Sequence, residues 1–183
     1  MKIIKYTFFM IFFFVIFLGG SLAMGQFFFF QHPMQDQMAP DFVLKTLKGQ
    51  TLRMSEYRDG QKAILFFWAT WCPHCRMQLK QLYDERNNIA KQGIKVILVD
   101  LEEDARQVGV YLEKRHIDFE VFLDENADVG EQYQIIGIPS FFFLNSQGKI
   151  VAVKNFLPEN FEQIFKDRKD GFTFGETPKQ PLE

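Results

Sequence analysis

Cysteine is scarce in this chain, and the scarcity excludes two classes of protein. Only two cysteines occur among 183 residues, too few for a disulfide-rich scaffold or a four-cysteine zinc site. An excess of one charge is also lacking, because 21 Lys and Arg stand against 23 Asp and Glu. This balance excludes a basic nucleic-acid binder, so no nucleic-acid partner is expected. The length and the 47% hydrophobic content suit one ordinary domain with a core.

Phenylalanine, by contrast, is abundant, and part of the excess lies in one N-terminal segment. After Lys2 and Lys5, the 25 residues from Tyr6 to Phe30 contain no Asp, Glu, Lys, Arg or His. About 20 such residues cross a bilayer as a helix, and the preceding lysines keep the N-terminus in the cytoplasm. We therefore predict a signal anchor that holds residues 6–30 in the membrane and exports the rest. A cleavable signal peptide ending at residues 21–23 (Ser-Leu-Ala) is the alternative.

Beyond residue 30 the pattern predicts one α/β domain. Residues 1–30 are the anchor, 31–38 a linker, 39–168 the domain and 169–183 a flexible tail. Strands are predicted at residues 42–44, 51–53, 62–68, 95–99, 120–123, 140–144 and 149–153, and helices at 73–91, 105–114, 128–133 and 158–168. This order implies an N-terminal β-hairpin and a mixed central sheet with helices on both faces and an antiparallel hairpin at its edge.

Both cysteines fall in one C-x-x-C motif, where a buried strand passes into a helix. The motif reads Cys72-Pro73-His74-Cys75. Free N–H groups and the dipole at a helix N-terminus stabilise an anion, so this position favours the thiolate of Cys72, the nucleophile in exchange. A cationic His74 would favour it further. Cys75 lies one turn into the helix, less exposed and placed to resolve a mixed disulfide. Trp71 is expected to cover the exposed side of Cys72.

Three other uses of a cysteine pair are open to this motif. A structural disulfide that closes so short a loop would contribute about 2 kcal/mol, compared with about 4.7 kcal/mol for a loop of about 100 residues. Half a zinc site would need His74 or another histidine, because no third cysteine exists. Inert cysteines would tend to oxidise in an exported domain. The strand before the motif, the helix after it and the exported context together favour redox chemistry without a metal.

A second candidate feature is Ile138-Pro139, directly before the predicted strand at 140–144. A cis peptide bond at this proline would turn the chain and leave the backbone groups of Ile138 unpaired. An extended segment of a client protein could then pair with them while its cysteine reaches Cys72. An ordinary trans proline at the start of a strand is the alternative.

Together these residues resemble the thioredoxin fold over residues 39–168. The segment W-A-T-W-C-P-H-C at 68–75 resembles the W-A-x-W-C-x-x-C active-site segment of thioredoxins, and G-I-P-S at 137–140 resembles their cis-Pro loop. The opening A-P-D-F at 39–42 and the extra segment at 102–123 resemble the membrane-anchored TlpA/ResA-like branch. The resemblance implies a thioredoxin-like three-layer sandwich.

Members of the TlpA/ResA-like branch are bacterial extracytoplasmic thiol–disulfide oxidoreductases. The resemblance implies a single-pass protein of the bacterial cell membrane that acts on exported cysteine-containing proteins, such as apocytochromes c. A membrane redox partner would recycle the dithiol, and no cofactor would be needed. Cys72 and Cys75 would form the catalytic, redox-active pair. The residues expected to tune the site and contact the substrate are Trp71, Pro73, His74, Ile138 and Pro139.

The chain departs from the family pattern at three points. Gln78 stands where reducing members carry an acid, and Phe66 stands where thioredoxins carry a buried Asp. Both usual proton acceptors for the resolving thiol are therefore missing, and Glu102 or Glu103 could substitute. The third departure is the dipeptide within C-P-H-C, which is the pattern of strongly oxidising periplasmic oxidases of the DsbA type. The branch implies a reductant and the dipeptide an oxidant, so both directions of electron flow stay open.

Two other functions are compatible with the same fold. A peroxidase would need P-x-x-x-T-x-x-C, but Thr70 lies two residues before Cys72 instead of three. A non-catalytic module that binds exported clients is the other alternative, but such a module would not need the intact cysteine pair. The sequence therefore favours an enzyme of dithiol–disulfide exchange.

Overall fold

A central sheet covered by helices makes up residues 31–166, the range that the computed structural model describes. The strands are β1 (Val43–Thr46), β2 (Thr51–Arg53), β3 (Lys62–Trp68), β4 (Ile94–Leu101), β5 (Val121–Asp124), β6 (Ser140–Leu144) and β7 (Ile150–Lys154). The helices are α1 (Met54–Arg58), α2 (Pro73–Asp84), α3 (Arg86–Lys91), α4 (Ala105–Glu113), α5 (Asp128–Gln132) and α6 (Phe161–Ile164). The strands predicted at 62–68 and 140–144 are confirmed to the residue.

The strands form one mixed sheet in the order β2-β1-β5-β4-β3-β6-β7. The three neighbours β3, β4 and β5 run parallel, while β6 is antiparallel to β3 and β7 to β6. On the other side, β1 is antiparallel to both β5 and β2. The predicted α/β fold with a mixed sheet and helices is confirmed, and β3 lies inside the sheet between two partners.

Two hydrophobic layers cover the sheet, and side chains of the central strands alternate between them. The α2 layer contains buried side chains of α2, α4 and α6 together with Phe141 and Phe143. The α5 layer contains those of α1 and α5 together with Phe142. Phe66 stacks on Phe141 in the α2 layer with ring centroids 4.3 Å apart. The phenylalanines of the central strands therefore serve the core, where each contributes about 1.5–3 kcal/mol by burial.

The helix predicted over residues 73–91 is two helices, α2 and α3, separated at Glu85. Arg86 explains the separation, because its Nη1 donates to the carbonyl oxygen of Tyr83 at 2.7 Å and its guanidinium lies 4.1 Å from the centre of the Tyr83 ring. This contact engages a carbonyl oxygen at the end of the first helix. Gly93, with φ +67°, follows the end of α3, as its position in the sequence predicts.

Two predicted boundaries are wrong in ways that matter for the site or the chain end. The strand predicted at 95–99 continues as β4 to Leu101, so Asp100 belongs to the sheet. The last helix, predicted from Pro158, begins only at Phe161 within the described range. The predicted helix end at Arg168 lies outside that range.

Residues 31–38, interpreted as a linker, form turns against the edge strand β7. Met34 is buried, the N–H of Asp36 donates to the carbonyl oxygen of Ile150 at 2.9 Å, and the N–H of Ile150 donates to Gln37 at 2.8 Å. A β-bridge between Met38 and Lys149 completes the contact. This segment therefore packs as part of the folded domain.

The predicted signal anchor over residues 6–30 and the predicted tail over 169–183 lie outside the described residues. From residue 31 to residue 166, no helix has the length and apolar character needed to span a bilayer.

Candidate active site

Cys72 lies at the N-cap of α2, just beyond the end of β3. Its backbone is extended (φ −82°, ψ 111°), and its Sγ accepts a hydrogen bond from the N–H of Cys75 at 3.1 Å. Pro73 occupies the first helical position, where a missing N–H costs nothing. The sulfur of Cys72 therefore lies against the positive end of the helix dipole, where a thiolate is stabilised.

Cys72 and Cys75 form a disulfide, with their Cα atoms 5.2 Å apart. Cys75 is fully buried, whereas Cys72 retains 5% of its surface. A partner sulfur can thus reach Cys72 but not Cys75. This asymmetry fits the predicted roles of an attacking residue and a resolving residue.

Three predicted site residues surround the disulfide at the surface. Trp71 is 61% exposed beside Cys72, and Pro73 and His74 are also exposed. The His74 ring makes no hydrogen bond to any residue in the range 31–166. Its effect on the Cys72 thiolate would be through space, and that role stays a prediction.

The loop before β6 brings Ile138 and Pro139 to the disulfide. The Ile138–Pro139 peptide bond is cis, and the carbonyl oxygen of Ile138 lies 3.8 Å from Cys72 Sγ. Side chains hold the flanking carbonyls, since Ser140 donates to Gly137 at 2.7 Å and Asn155 donates to Pro139 at 3.2 Å. Within the described chain, the N–H groups of residues 136–138 have no hydrogen-bond partner. This backbone edge is open next to the reactive sulfur.

A groove of about 210 Å³ runs between Trp71 and this loop. Its walls are apolar, and Ile136 at its mouth is 96% exposed. Two exposed carboxylates, Glu102 and Glu131, also line it. Glu102 has a left-handed backbone (φ 60°) and is held by its N–H, which donates to Asp124 at 3.1 Å. We call this space the client groove; it is apolar inside and acidic at its rim.

The two positions at which the family resemblance predicts an acid serve the architecture in this chain. The side-chain oxygen Oε1 of Gln78 accepts from the backbone N–H of Leu157 at 2.6 Å, and the side-chain amide of Gln81 donates to the backbone carbonyl oxygen of Leu157 at 3.1 Å. Gln78 thereby helps to attach the segment before α6 to α2. Phe66 stacks in the core against Phe141. Neither a carboxamide nor a phenyl ring can take a proton from Cys75.

The structure separates the two acids proposed as substitutes. Glu102 is exposed, whereas Glu103 is 97% buried and binds the active-site loop. One carboxylate oxygen of Glu103 accepts from the backbone N–H of Thr70; the other accepts from the Thr70 hydroxyl at 2.5 Å and from Gln107 Nε2 at 2.9 Å. Because Thr70 lies two residues before Cys72, these hydrogen bonds hold the active-site loop (residues 69–71), which precedes the motif, in place.

Sequence reasoning missed a third acid, Asp100. It is fully buried on β4, opposite Trp68 of β3, and neither of its carboxyl oxygens has a hydrogen-bond partner in the described range. Burial and, to a smaller extent, the nearby charge of Glu103 together raise the pKa of Asp100 to about 9. The available signal was the apolar run of β4 continuing through Asp100 to Leu101, which places an acid inside a buried strand.

The sequence is similar to known proteins over most of the described range. The AhpC/TSA family profile matches residues 36–153. Sporulation thiol-disulfide oxidoreductase A of Bacillus subtilis is 33% identical over 116 residues, which cover 62% of this chain and 69% of that protein. Thiol-disulfide oxidoreductase ResA of Bacillus subtilis is 29% identical over 115 residues, which cover 63% of this chain and 64% of that protein, less than two thirds of its length.

Solved structures carry the same architecture. The thioredoxin domain of a thiol-disulfide oxidoreductase from Bacteroides vulgatus superposes with a TM-score of 0.64 at 22% identity, covering 73% of this chain and 96% of that domain. At this identity the match shows the fold, and it agrees with the observed sheet.

The buried Asp100 predicts an unusual dependence of stability on pH. Its pKa is about 9 in the folded chain and about 4 when unfolded, so the folded state alone holds this proton between those values and loses relative stability as the pH rises. Asp100→Asn removes the effect. From pH 5 to pH 8 we expect the free energy of unfolding of the variant to rise by at least about 1 kcal/mol relative to that of the parent. One proton held only by the folded state can change this energy by at most about 1.4 kcal/mol per pH unit.

Urea denaturation of both proteins at the two pH values measures this change. Comparing the change with pH cancels any constant cost of placing an amide at position 100. Parallel stabilities of parent and variant at both pH values would contradict the assigned protonation.

Proposed function

We propose that this chain, which belongs to the AhpC/TSA family and has the thioredoxin fold, is a membrane-anchored enzyme. It would exchange disulfides with exported proteins. The predicted enzyme class, thiol–disulfide oxidoreductase, is confirmed by the names of its relatives. The single observation that carries the proposal is the asymmetric cysteine pair: Cys72 keeps a small exposed surface beside the carbonyl oxygen of Ile138, whereas Cys75 is fully buried.

Exchange proceeds through a mixed disulfide. When the protein acts as an oxidant, a client thiolate attacks Cys72 Sγ, a client–Cys72 bond forms, and the Cys72–Cys75 bond breaks with Cys75 leaving as a thiolate. A second client thiolate then displaces Cys72. When it acts as a reductant, the steps run in reverse, and Cys75 expels the client from Cys72. In each direction two electrons pass between one dithiol and one disulfide.

The client groove supplies the binding energy that orients the attacking sulfur. An extended client segment can pair with the unoccupied N–H groups of residues 136–138 and place an apolar side chain between Trp71 and Ile136. The acidic rim of Glu102 and Glu131 favours a basic residue beside the client cysteine. The client class is therefore an unfolded cysteine-containing segment, and apocytochromes c are one example.

Anchoring and recycling complete the proposal. The charge-free run over residues 6–30 supports a single span with the catalytic domain outside the cytoplasm of a bacterium. A membrane redox partner would reset the cysteine pair after each cycle. The alternative of a non-catalytic binding module gains nothing from a disulfide placed at a helix N-terminus.

Trapping tests the assigned roles of the cysteines. Cys75→Ser should leave Cys72 covalently bound to its clients, because no second thiol can resolve the mixed disulfide. Cys72→Ser should capture none, because Cys75 is fully buried. Non-reducing electrophoresis and mass spectrometry of the full chain purified from its bacterium identify the captured proteins. Equal capture by the two variants, or capture by Cys72→Ser alone, would contradict the assignment.

The reduction potential tests the direction of electron flow. Because His74 lies unpaired at the N-terminus of α2, we expect the potential to lie well above the roughly −270 mV of thioredoxin, toward the roughly −120 mV of DsbA. His74→Ala should lower the potential, and His116→Ala, at an exposed position away from the motif, should not change it. Equilibration in graded glutathione buffers gives the values. A potential near that of thioredoxin, unchanged in His74→Ala, would assign the protein as a reductant.

Matched peptides test the acidic rim. Two extended peptides that differ only in Lys or Glu beside the cysteine are offered as mixed disulfides with a small thiol. We expect the reduced protein to attack the Lys peptide roughly three- to tenfold faster, and the preference should fall at high salt. The double variant Glu102→Gln, Glu131→Gln should abolish it, while Glu125→Gln, which does not line the groove, should keep it. An unchanged preference in the double variant would show that the acidic rim does not contribute to client recognition.

A further inference from the structure

Cys75 cannot exchange its proton directly with bulk water. Its side chain is fully buried, and it must be a thiolate when it attacks a mixed disulfide or leaves Cys72. Burial in an apolar layer disfavours that charge. The exchange proposed above therefore needs an internal group that takes the proton from Cys75 or returns it.

Asp100 lies on the correct face of the sheet for this task. Along β4, Leu98 points into the α2 layer and Val99 into the α5 layer, so Asp100 points back into the α2 layer, where both cysteines lie. Its register partner on β3 is Trp68, which belongs to the same layer as Cys72 and Cys75. The acid and the resolving thiol thus lie in the same buried layer.

The polar atoms around Asp100 are unmatched. Both of its carboxyl oxygens and Trp68 Nε1 are buried without a hydrogen-bond partner in the described range. Buried polar groups are nearly always paired, and the Glu103 carboxylate beside Asp100 can accept a hydrogen bond from it only while Asp100 holds a proton.

Few other charged groups face Asp100. On the flanking strands its neighbours are Trp68 and Leu123, which carry no charge. Glu103 follows β4, the cysteine pair lies on α2, and Tyr111 of α4 packs on the Trp68 ring with centroids 5.8 Å apart. The exposed side chains of Arg76 and Arg115 lie near Tyr111, and their charges partly offset the rise in the pKa of Tyr111 that burial causes. Of these groups, only Glu103 adds a buried negative charge beside Asp100.

Resting on the proposed exchange function, we propose that Asp100 exchanges the proton of Cys75 during catalysis and that Glu103 is a positioning residue that tunes Asp100 and links it to the active-site loop. In the oxidising direction, Cys75 leaves Cys72 as a thiolate and takes the proton from the Asp100 carboxyl. In the reducing direction, the Asp100 carboxylate takes the proton from the Cys75 thiol, and the resulting thiolate attacks Cys72 Sγ. The proton moves only between Asp100 and Cys75, and two electrons pass between the client and the Cys72–Cys75 pair.

The buried position of Asp100 suits it to hold and return a proton. Burial and Glu103 bring the pKa of Asp100 to about 9, so this carboxyl keeps its proton at neutral pH and can pass it to a leaving thiolate. An exposed Asp would stay ionised at neutral pH and could not return a proton to the leaving thiolate.

Reduction of the oxidised full chain by dithiothreitol tests the proposal without any client. Stopped-flow tryptophan fluorescence follows the rate from pH 5 to pH 10. We expect Asp100→Asn to slow the reaction roughly 10- to 100-fold at neutral pH and to abolish the inflection in the alkaline limb of the profile. The matched control is Asp124→Asn, a buried acid on β5 whose oxygens accept from Val129 and Gly130 in the α5 layer. It should keep the parental profile.

Two further measurements separate proton exchange from a structural role. In a Cys75→Ser background, Asp100→Asn should not change the rate at which Cys72 reacts with a small disulfide, because Cys75 is absent. Glu103→Gln removes the charge and keeps one of the two acceptor oxygens that bind Thr70, so the inflection should move to lower pH. Equal slowing with and without Cys75, or a profile of Asp100→Asn that matches the parent, would overturn the proposal.

The parent protein alone gives an independent test in case Asp100→Asn does not fold. Infrared difference spectra between the oxidised and reduced parent should show the C=O band of a protonated carboxylic acid changing with the redox state. An unchanged band would overturn the proposal. A failure to trap clients with Cys75→Ser would instead count against the proposed function alone, because neither the dithiothreitol assay nor the spectrum uses a client.

Discussion

The burial of β3 between two neighbouring strands and two hydrophobic layers is the constraint on which the rest of the structure depends. β3 pairs along its whole length with β4 and over residues 63–67 with β6, and its side chains from Ala63 to Trp68 are fully buried. A slip of one residue would move every side chain to the opposite layer, so its register is firmly held. After a loop of three residues (69–71), β3 is followed by Cys72 and α2. The pairing of Phe67 with Ser140 sets the start of β6, and hence Pro139, beside the same junction. One strand therefore brings together two site segments that are far apart in sequence.

The features that could be predicted are those that a local pattern specifies. An unbroken apolar run specifies β3, a proline at the first helical position specifies the start of α2, and the C-x-x-C motif between them specifies the chemistry. Asp100 was not predicted as a site residue because its burial depends on where β4 ends, and the apolar pattern does not define the last residues of that strand. The structural use of Gln78 escaped because its partner, the backbone of Leu157, lies 79 residues away in the sequence. Interactions between distant segments leave no local signal.

The two buried aspartates show how environment divides one residue type between two uses. Asp124 accepts from the N–H groups of Val129 and Gly130, so it organises the start of α5 as an ordinary structural carboxylate. Asp100, on the neighbouring strand β4 and on the opposite face of the sheet, has no such donors. A stable fold accepts an unmatched buried acid where the site gains from it, and Asp100 lies on the layer that holds the cysteines.

The segment over residues 31–38 has a consequence for solubility. β7 is an edge strand, and only one strand away lies the Phe141–Phe143 run of β6. An uncovered edge offers free N–H and C=O groups to another chain and invites edge-to-edge aggregation. The hydrogen bonds between this segment and Ile150 occupy part of that edge. An expression fragment that starts at residue 39 would uncover the edge of a phenylalanine-rich sheet, whereas one that starts at residue 31 keeps it protected.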